Sequence, residues 1–285
     1  MRWLDALVQG ALLGGLYAQY ALGMALMFGV MRIVNIAHGD LVILLALLGI
    51  SLVSVLGVSP LVAPFLLVPV GVLIGWALQR GVLNRVVKAD PLPSLVATFG
   101  LSIALQNLML QIWSADTRSL SLGALSSMSI ELGSIYVGVL PLCVFAFAVA
   151  LTACLHLALQ FTKFGRALRA AAADGEAATL SGVDTKGVYA VATAIAVGIL
   201  GAAAFCQATR TTVAPADGGA QLIYAFEAVI IGGMGHISGA FLGAMIVGIA
   251  QVVGSRADPG WGILSGHIVF LLVLALRPQG LMSRT

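Results

Sequence analysis

Uninterrupted apolar runs constrain this chain more than any other feature. They fall at 6–30, 40–57, 60–79, 94–113, 135–161, 188–206, 220–235, 238–254 and 262–276. A helix crosses a bilayer with about 20 apolar residues, and most of these runs approach that length. Backbone amides in lipid must be satisfied within the segment or in a closed barrel. Barrel strands would read as short segments of alternating polarity, whereas these runs are continuous. Composition agrees: 60% of residues are hydrophobic and 9% are charged, against about 25% charged in soluble domains. The expectation is an all-α, polytopic transmembrane helical bundle of about 8–10 membrane segments. It forms one transmembrane domain over 1–285, solvated by a lipid bilayer. Arg2 precedes a stretch too long for a signal-peptide core, so 6–30 is read as a retained span.

Lys and Arg stay on the cytoplasmic side of membrane proteins. Placing the loops at 80–93 and 162–187 inside collects Arg80, Arg85, Lys88, Lys163, Arg166, Arg169 and Lys186 there. Alternating spans add Arg32, Arg277 and Arg284, leave Arg2, Arg118, Arg210 and Arg256 outside, and put the N-terminus outside. A half-span near residue 35 would reverse that last assignment. The net charge of +3 has no basic cluster behind it, so nucleic acid is not an expected partner. Cys143, Cys154 and Cys206 lie in apolar runs without metal-ligand spacing and read as packing residues. Small residues recur four apart at Gly10/Gly14/Ala18, Gly71/Gly75 and Gly239/Gly243. Such faces let helices approach closely in lipid. "VNIAHGDLVILLALLGI" also resembles "GGMGHISGAFLGAMIVGI". Each has a break holding Gly and His before an apolar helix, which suggests an internal two-fold repeat with broken or re-entrant helices.

No catalytic constellation stands in the chain, and there is no phosphate-binding loop of the GxxxxGK[ST] type. Uphill transport with ATP would need hydrolysis on another chain. Four regions carry polar chemistry instead. Asn35, His38 and Asp40 interrupt the first two runs and form either a short cytoplasmic turn or a broken helix on a pathway. Thr98, Ser102 and Gln106, four apart, share a helical face with Asn107 beside it. They serve as interhelical ties or substrate contacts. Glu227 is the acidic residue deep in the second half, followed by Gly232, Gly233, Gly235 and His236. A carboxylate inside a membrane is a functional candidate by default, and its plain alternative is a buried pair with a neighbouring span. The fourth region is "GRALRAAAADGEAATLSGVD". Its alanines favour helix, Asp174 is placed to cap a second short helix and Gly182 to end it. It reads as an interfacial helix or as a docking element for a soluble partner.

In combination, "FGVMRIVNIAHGDLV", "LVATFGLSIALQN", "SADTRSL", "GRALRAAAADGEAATLSGVD" and "VIIGGMGHISGAFLGA" resemble the permease subunits of bacterial ABC importers of the branched-chain amino acid type. The resemblance runs over nearly the whole length. It implies a non-enzymatic, multi-pass subunit of the bacterial cytoplasmic (inner) membrane that forms a translocation path. It implies a second related permease, two cytoplasmic ATPase subunits carrying ATP and Mg, and a periplasmic substrate-binding protein. No cofactor is implied in this chain. Asn35, His38, Asp40, Thr98, Ser102, Gln106, Asn107, Glu227, Gly232, Gly233, Gly235 and His236 become candidates for path or gate. Gly165, Arg166, Arg169, Asp174, Glu176 and Gly182 fall in the family's ATPase-coupling loop, about 162–187. His236 stands where the family often has Ser, and Glu227 where many relatives carry a small or uncharged residue. Urea or short amides are alternative cargo, and an ion-coupled secondary transporter using Glu227, His38 and Asp40 is the rival from another class.

Overall fold

A computed structural model describes residues 2–86, 92–133 and 135–282. Lys88 and Arg284, counted above among the cytoplasmic cations, lie outside the described residues. The first part of the chain forms α1 (Arg2–Met31), α2 (His38–Leu56), α3 (Ala63–Leu78), a short α4 (Asn84–Val86) after a π-helical turn, and α5 (Leu92–Trp113). The single turn α6 (Ala124–Ser127) precedes the hairpin of β1 (Ser129–Leu132) and β2 (Ile135–Gly138). There follow α7 (Val139–Phe161), α8 (Lys163–Ala173), α9 (Gly175–Leu180), α10 (Thr185–Arg210), α11 (Gly218–Gly232), α12 (Ile237–Ala257) and α13 (Trp261–Leu276). Seven stretches are long and apolar enough to cross a membrane. The shorter α11 and α13, of 15 and 16 residues, complete the nine apolar runs.

One boundary differs from the sequence reading. The run at 135–161 begins as strand, because Ile135, Tyr136 and Val137 pair antiparallel with Leu132, Glu131 and Ile130 before the helix starts at Val139. Aromatic and β-branched residues favour that extended state, so the bundle carries one small hairpin in its loops.

Contacts between helices fix their directions. Arg210 at the end of α10 donates to the Leu12 carbonyl, and Gly23 of α1 packs on the Ala196 carbonyl, so α1 and α10 are antiparallel. Gly10 meets Ile249 and Gly14 meets Ala244, so α12 also opposes α1. Gly71 and Gly75 meet Val197 and Thr193, so α3 opposes α10. Arg256 pairs with Asp5, placing the end of α12 at the N-terminal face of the bundle. Leu281 and Met282 donate backbone bonds to the Ile231 and Gly232 carbonyls, placing the C-terminal tail at the opposite face. Lys163, Arg166, Arg169, Lys186 and Arg277 gather at that second face, which the basic excess marks as cytoplasmic. The N-terminus therefore lies outside.

The glycine spacings are the helix contacts themselves. A Cβ on Gly71 or Gly75 would stand 2.5 Å from a carbonyl of α10, and one on Gly243 would stand 2.0 Å from the Ala228 carbonyl. Lipid tails are as apolar as leucine, so helices gain adhesion by close packing rather than by leaving water. The centre is α1 and α10, both largely buried, with α2, α11 and α12 against them; α3, α5, α7 and α13 expose apolar side chains outward. Gly243→Val forces α11 from α12 and is expected to cost about 3 kcal/mol, the scale of overpacking a tight core. Gly100→Ala fills open space on α5 and is expected to be neutral or stabilising by up to about 1 kcal/mol. Thermal melting of the detergent-solubilised chain checks both, and equal midpoints for the two variants would remove the glycine contacts from the account.

Candidate functional site

The chain turns back on itself after α1. Met31 ends the helix, Arg32 takes a left-handed φ of 53°, and α2 restarts at His38. The His38 Nε2 donates to the Tyr20 carbonyl of α1 at 2.9 Å. Tyr20 lies about 16 Å back from Met31 at the rise of an α-helix. The segment 32–37 therefore re-enters the bundle, and α2 begins at mid-membrane depth. Asn35, His38 and Asp40 are all buried, so this is a re-entrant break inside the bundle and not a solvated turn. Asn35 does not cap α2 directly. Its side chain accepts from the Ala37 amide at 3.1 Å and its carbonyl from the His38 amide at 3.1 Å, holding the turn just before the helix.

Asp40, in the first turn of α2, is the hub. It accepts from Ser102 Oγ at 2.5 Å and Gln106 Nε2 at 3.0 Å, both on α5. A Cβ on Gly39 would lie 1.9 Å from the Gly218 carbonyl, and one on Gly218 would lie 2.0 Å from Asp40 Oδ1. Gly218 is the first residue of α11. The N-termini of α2 and α11 thus converge on one carboxylate inside the membrane, where helix dipoles favour negative charge. Two other members of the expected α5 face do not join. Thr98 is buried and donates to the Ser94 and Leu95 carbonyls of its own helix. Asn107 is exposed and bonds the Ile103 carbonyl.

Glu227 belongs to a separate polar layer. His267 Nδ1 of α13 donates to one of its carboxylate oxygens, and the other oxygen is buried without a partner. Nearby, Tyr17 donates to Gln251 Oε1 at 2.7 Å and stacks on Tyr224 with ring centroids 4.6 Å apart. Tyr20 donates to Gln207 of α10. The sequence reading passed over Tyr17, Tyr20, Gln207, Arg210, Gln251 and His267. A lone Gln or Arg inside an apolar run was the available signal, since such groups must find partners in the bundle.

At the cytoplasmic face, α11 ends at Gly232, and Gly233 and Gly235 take φ values of +102° and +84°. His236 is the N-cap position of α12 but makes no side-chain cap. The C-terminal tail closes over this break: its amides satisfy the last carbonyls of α11, and Gly280 lies against Gly233. The two breaks of the suggested repeat are both present but differently built. The second is a tight hairpin with α11 and α12 side by side, whereas the first is a long re-entry.

The loop at 162–187 folds as two helices. Thr162 caps α8 by accepting from the Gly165 amide at 3.0 Å. Asp174 caps α9, accepting from Glu176 and Ala177 amides at 2.9 and 3.0 Å. Gly182, at φ +87°, ends it with paired bonds from Gly182 to Thr179 and from Val183 to Ala178. Gly165 presses on the Leu159 carbonyl, and Arg169 donates to that same oxygen. This clamps α8 onto the end of α7. Arg166 and Glu176 stay exposed, and Leu180 is 91% exposed at the tip of α9.

The described residues thus hold a buried polar hub where two helices start, a glycine break at the cytoplasmic face and a protruding helical loop. Residues 6–276 match the family described as branched-chain amino acid transport system / permease component. The chain belongs to this family. A high-affinity branched-chain amino acid transport system permease protein, BraD of Pseudomonas aeruginosa, is 26% identical over 298 residues, covering 99% of this chain and 96% of that relative. LivH of Escherichia coli K12, of the same description, is 27% identical over 300 residues with the same coverage. A probable LivH permease of Methanocaldococcus jannaschii is 25% identical over 295 residues, 96% of this chain and 91% of its own. No solved structure matches the chain. The protein is a multi-pass membrane permease component of a transport system.

The Asp40 hub gives this permease a measurable coupling. Asp40→Ala strands Ser102 and Gln106 and is expected to cost about 1–3 kcal/mol, the range for unsatisfied buried groups. Adding Ser102→Ala to that variant is expected to cost almost nothing more, because the two act through one contact. Additive losses in a double-mutant cycle of melting would show that the contact is not formed.

Proposed function

We propose that this permease forms the membrane path of an ATP-driven importer in the cytoplasmic membrane, with branched-chain aliphatic amino acids as cargo. The observation that carries the reading is the family match across 6–276, joined to the cargo named for its relatives. The chain lacks a phosphate-binding loop of its own, so ATP and Mg belong to two cytoplasmic ATPase subunits. A second related permease completes the path, and a binding protein delivers cargo from outside. In this reading the Asp40 hub with Asn35, His38, Ser102 and Gln106 holds the fixed mid-membrane end of the path. The Gly232–His236 break is the cytoplasmic gate. Glu227 with His267 holds α11 to α13, Thr98 bonds within α5, and Asn107 faces the partner permease.

Residues 162–187 are the ATPase-coupling element. A short helix that presents an apolar side chain outside the lipid suits docking into a groove on a partner, which assigns Leu180 as the anchor and Arg166 and Glu176 as its rim. Arg169 also ties α8 to the Leu159 carbonyl of α7, and Arg166 reaches the Phe161 carbonyl at 3.4 Å. Leu180→Asp is expected to weaken ATPase co-purification about tenfold, a loss of roughly 1.4 kcal/mol, while leaving the melting of the permease unchanged. Intact co-purification would remove the anchor assignment. For cargo, the whole complex in proteoliposomes, loaded with ATP, is expected to take up leucine, isoleucine and valine from its binding protein, and not urea or acetamide. Uptake by the permease alone, driven by an ion gradient, would overturn the reading in favour of a secondary transporter.

A further inference from the structure

A cavity of about 540 Å³ opens at the cytoplasmic end of the bundle, where α1, α7, α8 and the Gly235–Ser238 turn meet. Its walls divide by chemistry. The floor is apolar, built from Ala25, Leu26, Val30, Leu168 and Ile237. The rim carries His156, Gln160, Arg169, His236 and Ser238, all able to donate hydrogen bonds, and among the described residues no carboxylate lines the cavity. Arg169 spends one guanidinium N–H on the Leu159 carbonyl, which leaves others of its five donors free. His236 Nδ1 is buried and has no partner. Donors without acceptors above an apolar floor suit an amphiphile with an anionic head.

The setting narrows the source of that anion. His156 lies five residues before the end of α7 at Phe161, about 7 Å inside it at the helical rise. On a helix of 23 residues, about 34 Å long, that level lies at the cytoplasmic edge of the hydrocarbon core, just below the lipid head groups. Next to it, Leu157 and Phe161 expose 53% and 69% of their surface outward, a strip along which an acyl chain can lie. We infer that this cavity is a binding site for the phosphate head group of an anionic phospholipid, held between the α8 helix and the turn before α12. A phosphate there would accept from Arg169 on one side and His236 on the other. It would bridge the loop assigned to ATPase coupling and the break assigned as the gate, in keeping with the function proposed above. The site itself rests only on the cavity and its donors.

The test is native mass spectrometry of the full-length permease released from nanodiscs of phosphatidylglycerol and phosphatidylcholine in equal parts. One phosphatidylglycerol is expected to stay bound per chain through delipidation. His156→Ala is expected to reduce its retention about tenfold, the worth of one hydrogen bond to a charged group. His156→Lys, which keeps a donor, is expected to restore it. Gel filtration of each variant reports whether it is folded, and Gln160→Ala serves as a second probe of the rim should His156→Ala misfold. Equal retention of the two lipids, or retention unchanged in the rim variants, would overturn the site. Displacement of the lipid by millimolar inorganic phosphate would assign the rim to a soluble anion and overturn the lipid. Because binding is read without ATPase subunits or cargo, failure of the importer reading would leave this result standing.

Discussion

Backbone meets backbone where α2 and α11 begin. Gly39 lies so close to the Gly218 carbonyl that no side chain fits between them, and Asp40 lies against Gly218 in turn. Starting a helix inside lipid leaves amides without intrahelical partners, a cost that hydrocarbon cannot relieve. Here two such starts are brought to one carboxylate, which the α5 side chains Ser102 and Gln106 hold in place. The arrangement explains why an acidic side chain sits at mid-depth, why glycines flank it, and why α5 carries hydroxyl and amide groups on its inner side. It also sets the depth at which 32–37 must turn, because His38 is pinned to the Tyr20 carbonyl.

Rigid connection runs from this hub to the cytoplasmic face. The α1 helix is one unbroken rod past the hub, and its Gly29 touches Gly235 in the turn before α12. The α8 helix is fastened to the end of α7 at two carbonyls: Leu159, shared by the Gly165 contact and the Arg169 bond, and Phe161, which accepts from Arg166. A push on α8 therefore reaches α7 directly. The Gly233–Gly235 turn is softer, since its conformation depends on left-handed glycines and on two backbone bonds from the C-terminal tail. Motion at this face has a natural place to occur, between a clamped element and a glycine hinge.

Features set by local chemistry were legible in the sequence. The nine apolar runs correspond to helices within a few residues, apart from the strand at 135–138, and the three small-residue spacings are true contacts. Asp174 and Gly182 begin and end α9 because capping is decided by neighbours in the chain. What stayed hidden depends on partners far away in sequence. Thr98, Ser102 and Gln106 share a face, yet Asp40 reaches only the last two, and Thr98 turns back on its own helix. Glu227 stood out as an acid, but its partner His267 is 40 residues away on another helix. The 32–37 re-entry was one of two readings, because a turn in water and a turn in a bundle use the same residues. Burial alone separates them.

The unburied polar groups carry the last step. Asn107 is exposed on α5, and Gly100 two turns before it faces open space. On α11, Gly219 is also open and exposed, just after the Gly218 contact with Asp40. A bare amide side chain and bare glycine backbone are poor surfaces to offer to lipid. They are suitable surfaces for water or for another protein. Both open sides lie on helices that meet the Asp40 hub. The remainder of the outer surface, on α3, α7 and α13, is apolar and suited to acyl chains. The division of polar and apolar exposure thus sets the α5 and α11 side of the bundle apart from its lipid-suited sides.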